Sequence, residues 1–206
     1  MSSIEKRIGP GGAEEYVVRH EGPRLPPGQV ATEKWPVLHY GNVPRFDVAR
    51  WDFRIFGEVV EERRLRYDEI LALPRRTLVT DIHCVTRWSR YDTSFEGALA
   101  RDVLALARVR PEARFVSVVC EQGFTTNLPL ADLHEDEVLL AWRADGADLT
   151  PDHGYPLRLV VPRRYFWKSA KWVRGLELLR DDKPGFWERN GYHNEADPWR
   201  EERFSD

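Results

Sequence analysis

The sequence predicts a mixed α/β or α+β domain built on a mixed sheet. Short apolar and β-branched segments with the spacing of strands outnumber those with the spacing of helices. The two kinds of segment do not alternate as in a regular βαβ fold, so a purely parallel sheet is not expected. The chain has 206 residues, of which 42% are hydrophobic, and this is enough for one large domain with a sizeable core.

Six strands and two helices are predicted in order along the chain. The strands are expected at 51–60, 78–85, 115–120, 138–142, 157–161 and 172–179. A short helix at 67–73 is expected to end before Pro74, because a residue that precedes proline disfavours the helical conformation. A second helix is expected at 98–107, where Leu99, Val103 and Leu106 share one face.

The two ends of the chain differ in composition from the part between them. Residues 1–34 contain Gly9-Pro10-Gly11-Gly12 and three further prolines, and this composition predicts an extended N-terminal arm rather than a helix or central strand. The remaining residues, 35–206, are expected to form the functional domain. Its tail, 183–206, has few aliphatic residues and many aromatic and polar ones, so we expect it to wrap over the surface.

Charge and hydropathy exclude some classes of protein. The net charge of −3 gives no general argument for binding nucleic acids or acidic membranes. No run of 18 apolar residues is present, so no membrane span is expected. The first 16 residues lack the basic start and apolar stretch of a secretory signal and also lack a twin-arginine pair, so a cytoplasmic location is expected.

The first candidate for chemistry is Cys84, which follows a predicted strand. The chain has two cysteines, Cys84 and Cys120, and a reducing cytoplasm disfavours a disulfide between them. Arg87 and Arg90 are expected to lower the pKa of Cys84, since a positive neighbour favours the thiolate. A thiolate is a soft ligand that suits a transition metal. The alternative is a buried structural cysteine, because cysteine is among the most buried residue types.

Two further segments carry groups that bind anions. In the first, Gly154 and Pro156 place His153 in a turn, and Arg158 begins a strand and presents a planar fork that matches phosphate. In the second, the run 168–172 contains Lys168, Ser169 and Lys171, which suit an anion site in an exposed turn. The alternatives are ordinary polar turns, or nucleic-acid binding by the basic and aromatic run 163–172, which the net charge disfavours.

Together the three segments predict a site for a phosphorylated cofactor that carries a metal. One sulfur ligand and a separate cluster of Arg, Lys and His would hold the two ends of such a molecule. A catalytic zinc site normally needs three protein ligands, and no second Cys or His stands at the spacing typical of zinc sites.

The same segments, in this order and spacing, resemble the molybdopterin-binding domain of the sulfite oxidase superfamily. The resemblance runs from about residue 35 to the end and is carried by His83-Cys84, the 153–158 segment and the 168–172 segment. It is closest to the small bacterial branch, which lacks haem and dimerisation domains. It implies mixed sheets with peripheral helices and a molybdenum-molybdopterin cofactor (Mo-MPT).

The resemblance also implies roles for individual residues. Cys84 would be the single protein ligand to molybdenum, and Arg87 would stand near the metal as a second catalytic residue. The implied cofactor-binding residues are His39, Tyr40, His153, Arg158, Lys168, Ser169 and Lys171. His39 and Tyr40 belong to the segment 36–42, which is similar to the N-terminal cofactor clasp of the family.

The expected activity is two-electron oxygen-atom transfer on a small, sulfite-like or sulfoxide-like substrate. Electrons would pass to or from a separate protein, because the chain has no haem-ligand or iron–sulfur motif. The main alternative is a pterin- or anion-binding module without turnover. A cysteine hydrolase is a further alternative, although His83 is adjacent to Cys84 and would point to the opposite face of a strand.

Overall fold

The fold of the computed structural model consists of two mixed sheets, with the candidate site residues at strand ends and in the connecting loops. The structure describes residues 2–9, 12 and 14–205. In these residues the strands are β1 (Ser2–Ile8), β2 (Glu14–His20), β3 (Val30–Ala31), β4 (Asp52–Gly57), β5 (Arg63–Arg66), β6 (Arg75–His83), β7 (Trp88–Leu99), β8 (Phe115–Cys120), β9 (Thr125–Pro129), β10 (Leu139–Ala144), β11 (Ala147–Asp148), β12 (Arg158–Val160) and β13 (Val173–Leu179). The helices are α1 (Tyr67–Leu71), α2 (Ala100–Ala105), α3 (Leu130–Leu133) and α4 (Phe186–Arg189).

The larger sheet has the order β1-β2-β6-β7-β10-β11, and two short strands join it at the side. β12 pairs with β10, and β3 pairs with β7. The pairs β2–β6 and β3–β7 are parallel, whereas β6–β7 and β7–β10 are antiparallel. The smaller sheet has the order β5-β4-β13-β8-β9, with one parallel pair, β4–β13. The predicted mixed fold class is therefore confirmed.

The larger sheet has apolar side chains on both faces. On β10, Leu139 and Ala141 belong to one hydrophobic cluster, whereas Leu140 and Trp142 belong to the other. This alternation follows from the two-residue period of a strand. The cluster that contains Leu140 and Trp142 also contains buried side chains of the smaller sheet, such as Phe53 and Val118. The two sheets therefore pack against each other through this cluster.

All six predicted strands and both predicted helices are confirmed, as β4, β6, β8, β10, β12, β13, α1 and α2. The segment 1–34 differs from the expectation, because its described residues contain strands that belong to the larger sheet. β1 and β2 form a hairpin, and β2 pairs with β6 through Glu15–Val17. The described glycines and prolines of this segment lie between the strands, which explains why the composition did not indicate strands. None of the described helices has the length and apolarity needed to cross a bilayer.

Candidate functional site

A cavity of about 480 Å³ lies against the end of β6. Its volume is within the range of about 300–1,000 Å³ that is typical of pockets for small molecules and cofactors. Its lining comes from five parts of the chain, namely 35–41, 84–88, 121–124, 158–172 and 186–192. All three segments that the sequence singled out contribute to it, together with the 36–42 segment and the C-terminal tail.

Cys84 lines this cavity directly after β6. A tight turn holds its backbone, since the Cys84 amide donates to the Trp88 carbonyl at 2.9 Å and the Arg87 amide donates to the Cys84 carbonyl at 3.0 Å. The Thr86 hydroxyl donates to Cys84 Sγ at 3.2 Å. Burial raises the pKa of the Cys84 thiol, and the hydrogen bond from Thr86 offsets this only in part. Both cysteines are unpaired.

The expectation that Arg87 and Arg90 lower the pKa of Cys84 is wrong. Arg87 takes a left-handed conformation with φ of 71°, its side chain is exposed, and it does not line the cavity. Arg90 pairs with Asp145 at 2.8 Å and does not line the cavity either. Neither guanidinium group lines the cavity with the thiol, so the structure does not support Arg87 as a catalytic residue.

Arg158 is a buried cation on the cavity wall, with 1% of its surface exposed. Its guanidinium donates to the carbonyls of His153 and Ser169, at 2.8 Å in each case. Its Nε has no hydrogen-bond partner among the described residues, and no carboxylate of this part of the chain pairs with it. Burial lowers the pKa of Arg158 to about 9. A buried charge without a counterion is unfavourable, so the site fits an anionic group from a ligand.

Lys171 and Ser169 lie next to Arg158 on the same wall. Lys171 Nζ donates to the carbonyls of Leu38 and Asp152. Burial and the charge of Arg158 lower the pKa of Lys171 to about 7. The Ser169 hydroxyl accepts a hydrogen bond from the Val161 amide at 2.9 Å, which fixes the loop between β12 and β13. Both cations therefore line the same cavity, and the charge of Arg158 acts on Lys171.

The structure places two of the predicted cofactor-binding residues behind the cavity. His153 packs its ring against Trp35, at 4.2 Å between ring centroids, and shares a hydrogen bond with Thr150. Lys168 is fully buried and pairs with Glu188 at 2.6 Å. Neither lines the cavity. In both cases a partner within the chain already satisfies the side chain, so contact with a cofactor is not supported.

His39 and Tyr40 do line the cavity, on the side that faces the tail. His39 Nδ1 donates to the Gly41 carbonyl at 3.0 Å, and its ring lies 5.6 Å from that of Trp172. The Tyr40 ring packs against Phe186 at 4.7 Å.

The sequence analysis missed the contribution of the tail to this site. Phe186, Trp187 and Tyr192 line the cavity, whereas the tail was expected only to cover the surface. Burial, and then the charge of the Cys84 thiolate, raise the pKa of the Tyr192 phenol, which lines the same cavity as Cys84. The tryptophan content of the C-terminal part could have indicated this contribution, since four of the eight tryptophans follow residue 160.

The geometry defines a class of protein. A thiol and two cations without carboxylate partners line one cavity, which fits a cofactor that joins a sulfur-bound metal to a phosphate. Within residues 2–9, 12 and 14–205, no three His, Cys, Asp or Glu side chains are grouped to hold a metal ion. The class is thus a cofactor-binding domain in which the protein would add one sulfur ligand.

Comparison with known proteins gives the family. Residues 40–187 match the family described as the oxidoreductase molybdopterin binding domain, and the chain belongs to that family. It is a molybdopterin-dependent oxidoreductase of the sulfite oxidase type, and its cofactor is molybdenum-molybdopterin. The assignment favours an enzyme over a pterin- or anion-binding module without turnover.

Three relatives illustrate the range of the family. The uncharacterized oxidoreductase YuiH of Bacillus subtilis is 47% identical over 183 residues, which is 88% of this chain and 92% of that protein. Sulfite oxidase of Gallus gallus is 30% identical over 58% of this chain and 27% of that protein. The sulfane dehydrogenase SoxCD of Paracoccus pantotrophus shares the fold, with a TM-score of 0.66 and 23% identity over 74% of this chain and 43% of that chain. The chain thus spans less than half of the two larger proteins.

Proposed function

We propose that this oxidoreductase catalyses two-electron oxygen-atom transfer on a small substrate and exchanges electrons with a separate protein. The observation that carries the proposal is that Cys84, Arg158 and Lys171 line the same cavity. A thiol and a pair of cations at separate points of one cavity suit the two ends of a metal-bearing phosphate ester.

Each of these side chains has a distinct task in the proposal. Cys84 would bind molybdenum as the thiolate, so its proton would leave when the metal binds. Arg158 and Lys171 would hold the phosphate, with Ser169 fixing their loop, and His39 and Tyr40 would close over the pterin. Bound molybdenum-molybdopterin supplies the two-electron redox chemistry, while the protein supplies binding, orientation and exclusion of water.

The partner and the location belong to the same proposal. Two cysteines, one of them on the cavity, are too few for an iron–sulfur cluster with four thiolate ligands, so electrons would pass to or from another protein. We infer a cytoplasmic location, which two unpaired cysteines suit, since a reducing compartment keeps thiols free. Cell fractionation against a cytoplasmic marker tests the location.

Replacement of Cys84 by serine tests the proposal, with Cys120→Ser as the matched control. Both thiols are buried, but Cys120 lies on β8 and does not line the cavity. Loss of a group that merely supports a metal ligand costs about 10–100-fold in metal affinity or activity. We therefore expect Cys84→Ser to lose more than about 100-fold in dye-linked turnover and most of its molybdenum.

The readouts are elemental analysis for molybdenum, pterin fluorescence after oxidative release, and turnover with an artificial electron dye. Cys120→Ser should keep the molybdenum content and turnover of the wild type. Wild-type turnover in Cys84→Ser would remove this thiolate from the function. Circular dichroism of both variants establishes that the fold survives.

A further inference from the structure

An aromatic rim forms one side of the cavity. It consists of Trp167, Phe186, Trp187 and Tyr192, which line the cavity, and it contacts Tyr40, which the proposed function assigns to the pterin. The rings contact one another, with Tyr40 and Phe186 at 4.7 Å, Trp187 and Tyr192 stacked at 4.8 Å, and Trp167 and Tyr192 at 5.0 Å between centroids. Four of the rings are only half-buried and Tyr40 is exposed, so ring surface remains available to a ligand.

The rim contains no cation. Among the lining residues the lysine and arginine side chains are Lys171 and Arg158, and the proposed function assigns both to the phosphate. The nearby carboxylate of Glu121 also lines the cavity and pairs with Arg174 at 2.6 Å. Arg87 and Arg90 do not line the cavity. An oxyanion substrate would therefore meet aromatic rings and a carboxylate rather than an unused positive charge.

A buried ion pair fixes the rim. Glu188 lies on α4 with Phe186 and Trp187, and it pairs with Lys168 at 2.6 Å, with both side chains at most 2% exposed. The same carboxylate accepts a hydrogen bond from Trp167 Nε1 at 3.1 Å. The rim is therefore positioned before a ligand binds, which reduces the entropy lost on binding.

We propose that the substrate is an uncharged molecule with a planar aromatic body that carries the transferable oxygen on sulfur or nitrogen. The rim binds the aromatic body by stacking, and the oxygen faces the part of the cavity where Cys84 would hold the metal. The proposal rests on the proposed function. In the reductive direction, the S–O or N–O bond breaks, and two protons with two electrons from a one-electron donor, such as two equivalents of reduced viologen, convert the oxygen to water.

The test uses the molybdenum-loaded protein with reduced viologen as donor. Methyl phenyl sulfoxide is compared with dimethyl sulfoxide, free methionine sulfoxide, sulfite (with an oxidised dye) and nitrate. One stacked aromatic pair corresponds to about a 2- to 10-fold effect in binding. With several rings in the rim, we expect kcat/KM for methyl phenyl sulfoxide to exceed that for dimethyl sulfoxide at least about tenfold.

Variants of Trp187 assign this preference to the rim. Trp187→Ala should lower kcat/KM for methyl phenyl sulfoxide about tenfold more than it lowers kcat/KM for dimethyl sulfoxide, whereas Trp187→Phe should retain most of the preference. Trp199→Ala is the matched control, since Trp199 is a half-buried tryptophan of the same tail that does not line the cavity. The calorimetric Kd for the unreactive methyl phenyl sulfone should weaken by the same factor in Trp187→Ala.

The outcomes separate the two proposals. Equal kcat/KM for methyl phenyl and dimethyl sulfoxide, or a higher kcat/KM for sulfite or nitrate than for any neutral compound, overturns the aromatic substrate and leaves oxygen-atom transfer intact. If fully loaded protein turns over none of the compounds, the proposed function fails. In that case the Kd for methyl phenyl sulfone tests whether the rim binds aromatic ligands. An unchanged Kd in Trp187→Ala overturns this role of the rim, and a tenfold weaker Kd supports it.

Discussion

Arg158 and Lys171 come together because a glycine lies between them. Gly154 has a φ of +111°, which favours glycine, and a Cβ at this position would stand 3.0 Å from Arg158 Cβ and 3.3 Å from Lys171 Cα. The loop can therefore pass close to both segments. Neither side chain forms a salt bridge with a carboxylate among the described residues, and each donates to backbone carbonyls.

The lowered pKa of Lys171, about 7, predicts how anions bind to cofactor-free protein. Below pH 7 the Lys171 amine is charged and should bind sulfate, whose own charge does not change in this range. Above pH 7 the amine is neutral, so sulfate should bind more weakly. We expect sulfate to raise the Tm more at pH 6 than at pH 8.5. Lys171→Met should remove most of this difference. An equal effect of sulfate at both pH values in the wild type would contradict the shift.

The same pKa affects stability without an anion. Between pH 7 and 10.5 the unfolded chain still holds the Lys171 proton, whereas the folded chain has lost it. The free energy of unfolding should therefore rise with pH through this window in the wild type relative to Lys171→Met.

At this scale the sequence indicated which segments meet but not where each side chain points. Among the predicted site residues, those on the cavity are Cys84, His39, Tyr40, Arg158, Ser169 and Lys171. Lys168 and Lys171 belong to one short run, yet one faces a buried carboxylate and the other the cavity. Partners such as Glu188 lie far along the chain, so no local pattern could distinguish the two lysines.

Among the elements, β7 shows why a polar strand is missed. Ser89 and Thr93 on β7 are fully buried, although no strand is predicted for the polar sequence around them. Their hydroxyls are satisfied by His83, at 2.8 Å from Ser89, and by Arg90, at 3.0 Å from Thr93. These partners are visible only once the strand is paired. The apolar strands β8 and β10, in contrast, follow directly from composition.

Helix α4 has four residues, too few for a stable isolated helix, so its contacts must hold it. Removing one partner of a buried ion pair costs about 3–5 kcal/mol. We expect Glu188→Ala to lower the free energy of unfolding by about this amount. The double variant Lys168→Met/Glu188→Leu should lose less, because no charge is left buried. Urea denaturation measures both.

An exposed ion pair serves as the control for the buried pair of Lys168 and Glu188. Asp68 pairs with Arg66 at 3.0 Å, and both side chains are about 70% exposed. Asp68→Ala should change stability by less than about 1 kcal/mol. If Glu188→Ala were equally mild, the ion pair would not be what holds α4.

In the whole molecule, the larger sheet extends beyond the part that matches the family. The match begins at residue 40, whereas β2 and β3 precede it and pair with β6 and β7, the strands on either side of Cys84. Gln29 also donates from its side chain to the Cys84 carbonyl at 3.0 Å. The fold class could be predicted from periodicity, but this pairing could not, because it joins residues more than 50 positions apart.

This arrangement predicts that residues 35–206 are not sufficient for a stable fold. Deleting 1–34 would uncover the edge of β6 and remove Val17 and Val18, both at most 5% exposed. Burial of one such side chain contributes about 1.5–3 kcal/mol, so the Tm should fall sharply and the uncovered edge should promote association.

Deleting only residues 1–12 removes β1, whose described side chains are exposed, and should cost far less stability. Scanning calorimetry and size-exclusion chromatography compare the two. If residues 35–206 unfold as a monomer at the full-length Tm, the first 34 residues are the dispensable arm that their composition suggests.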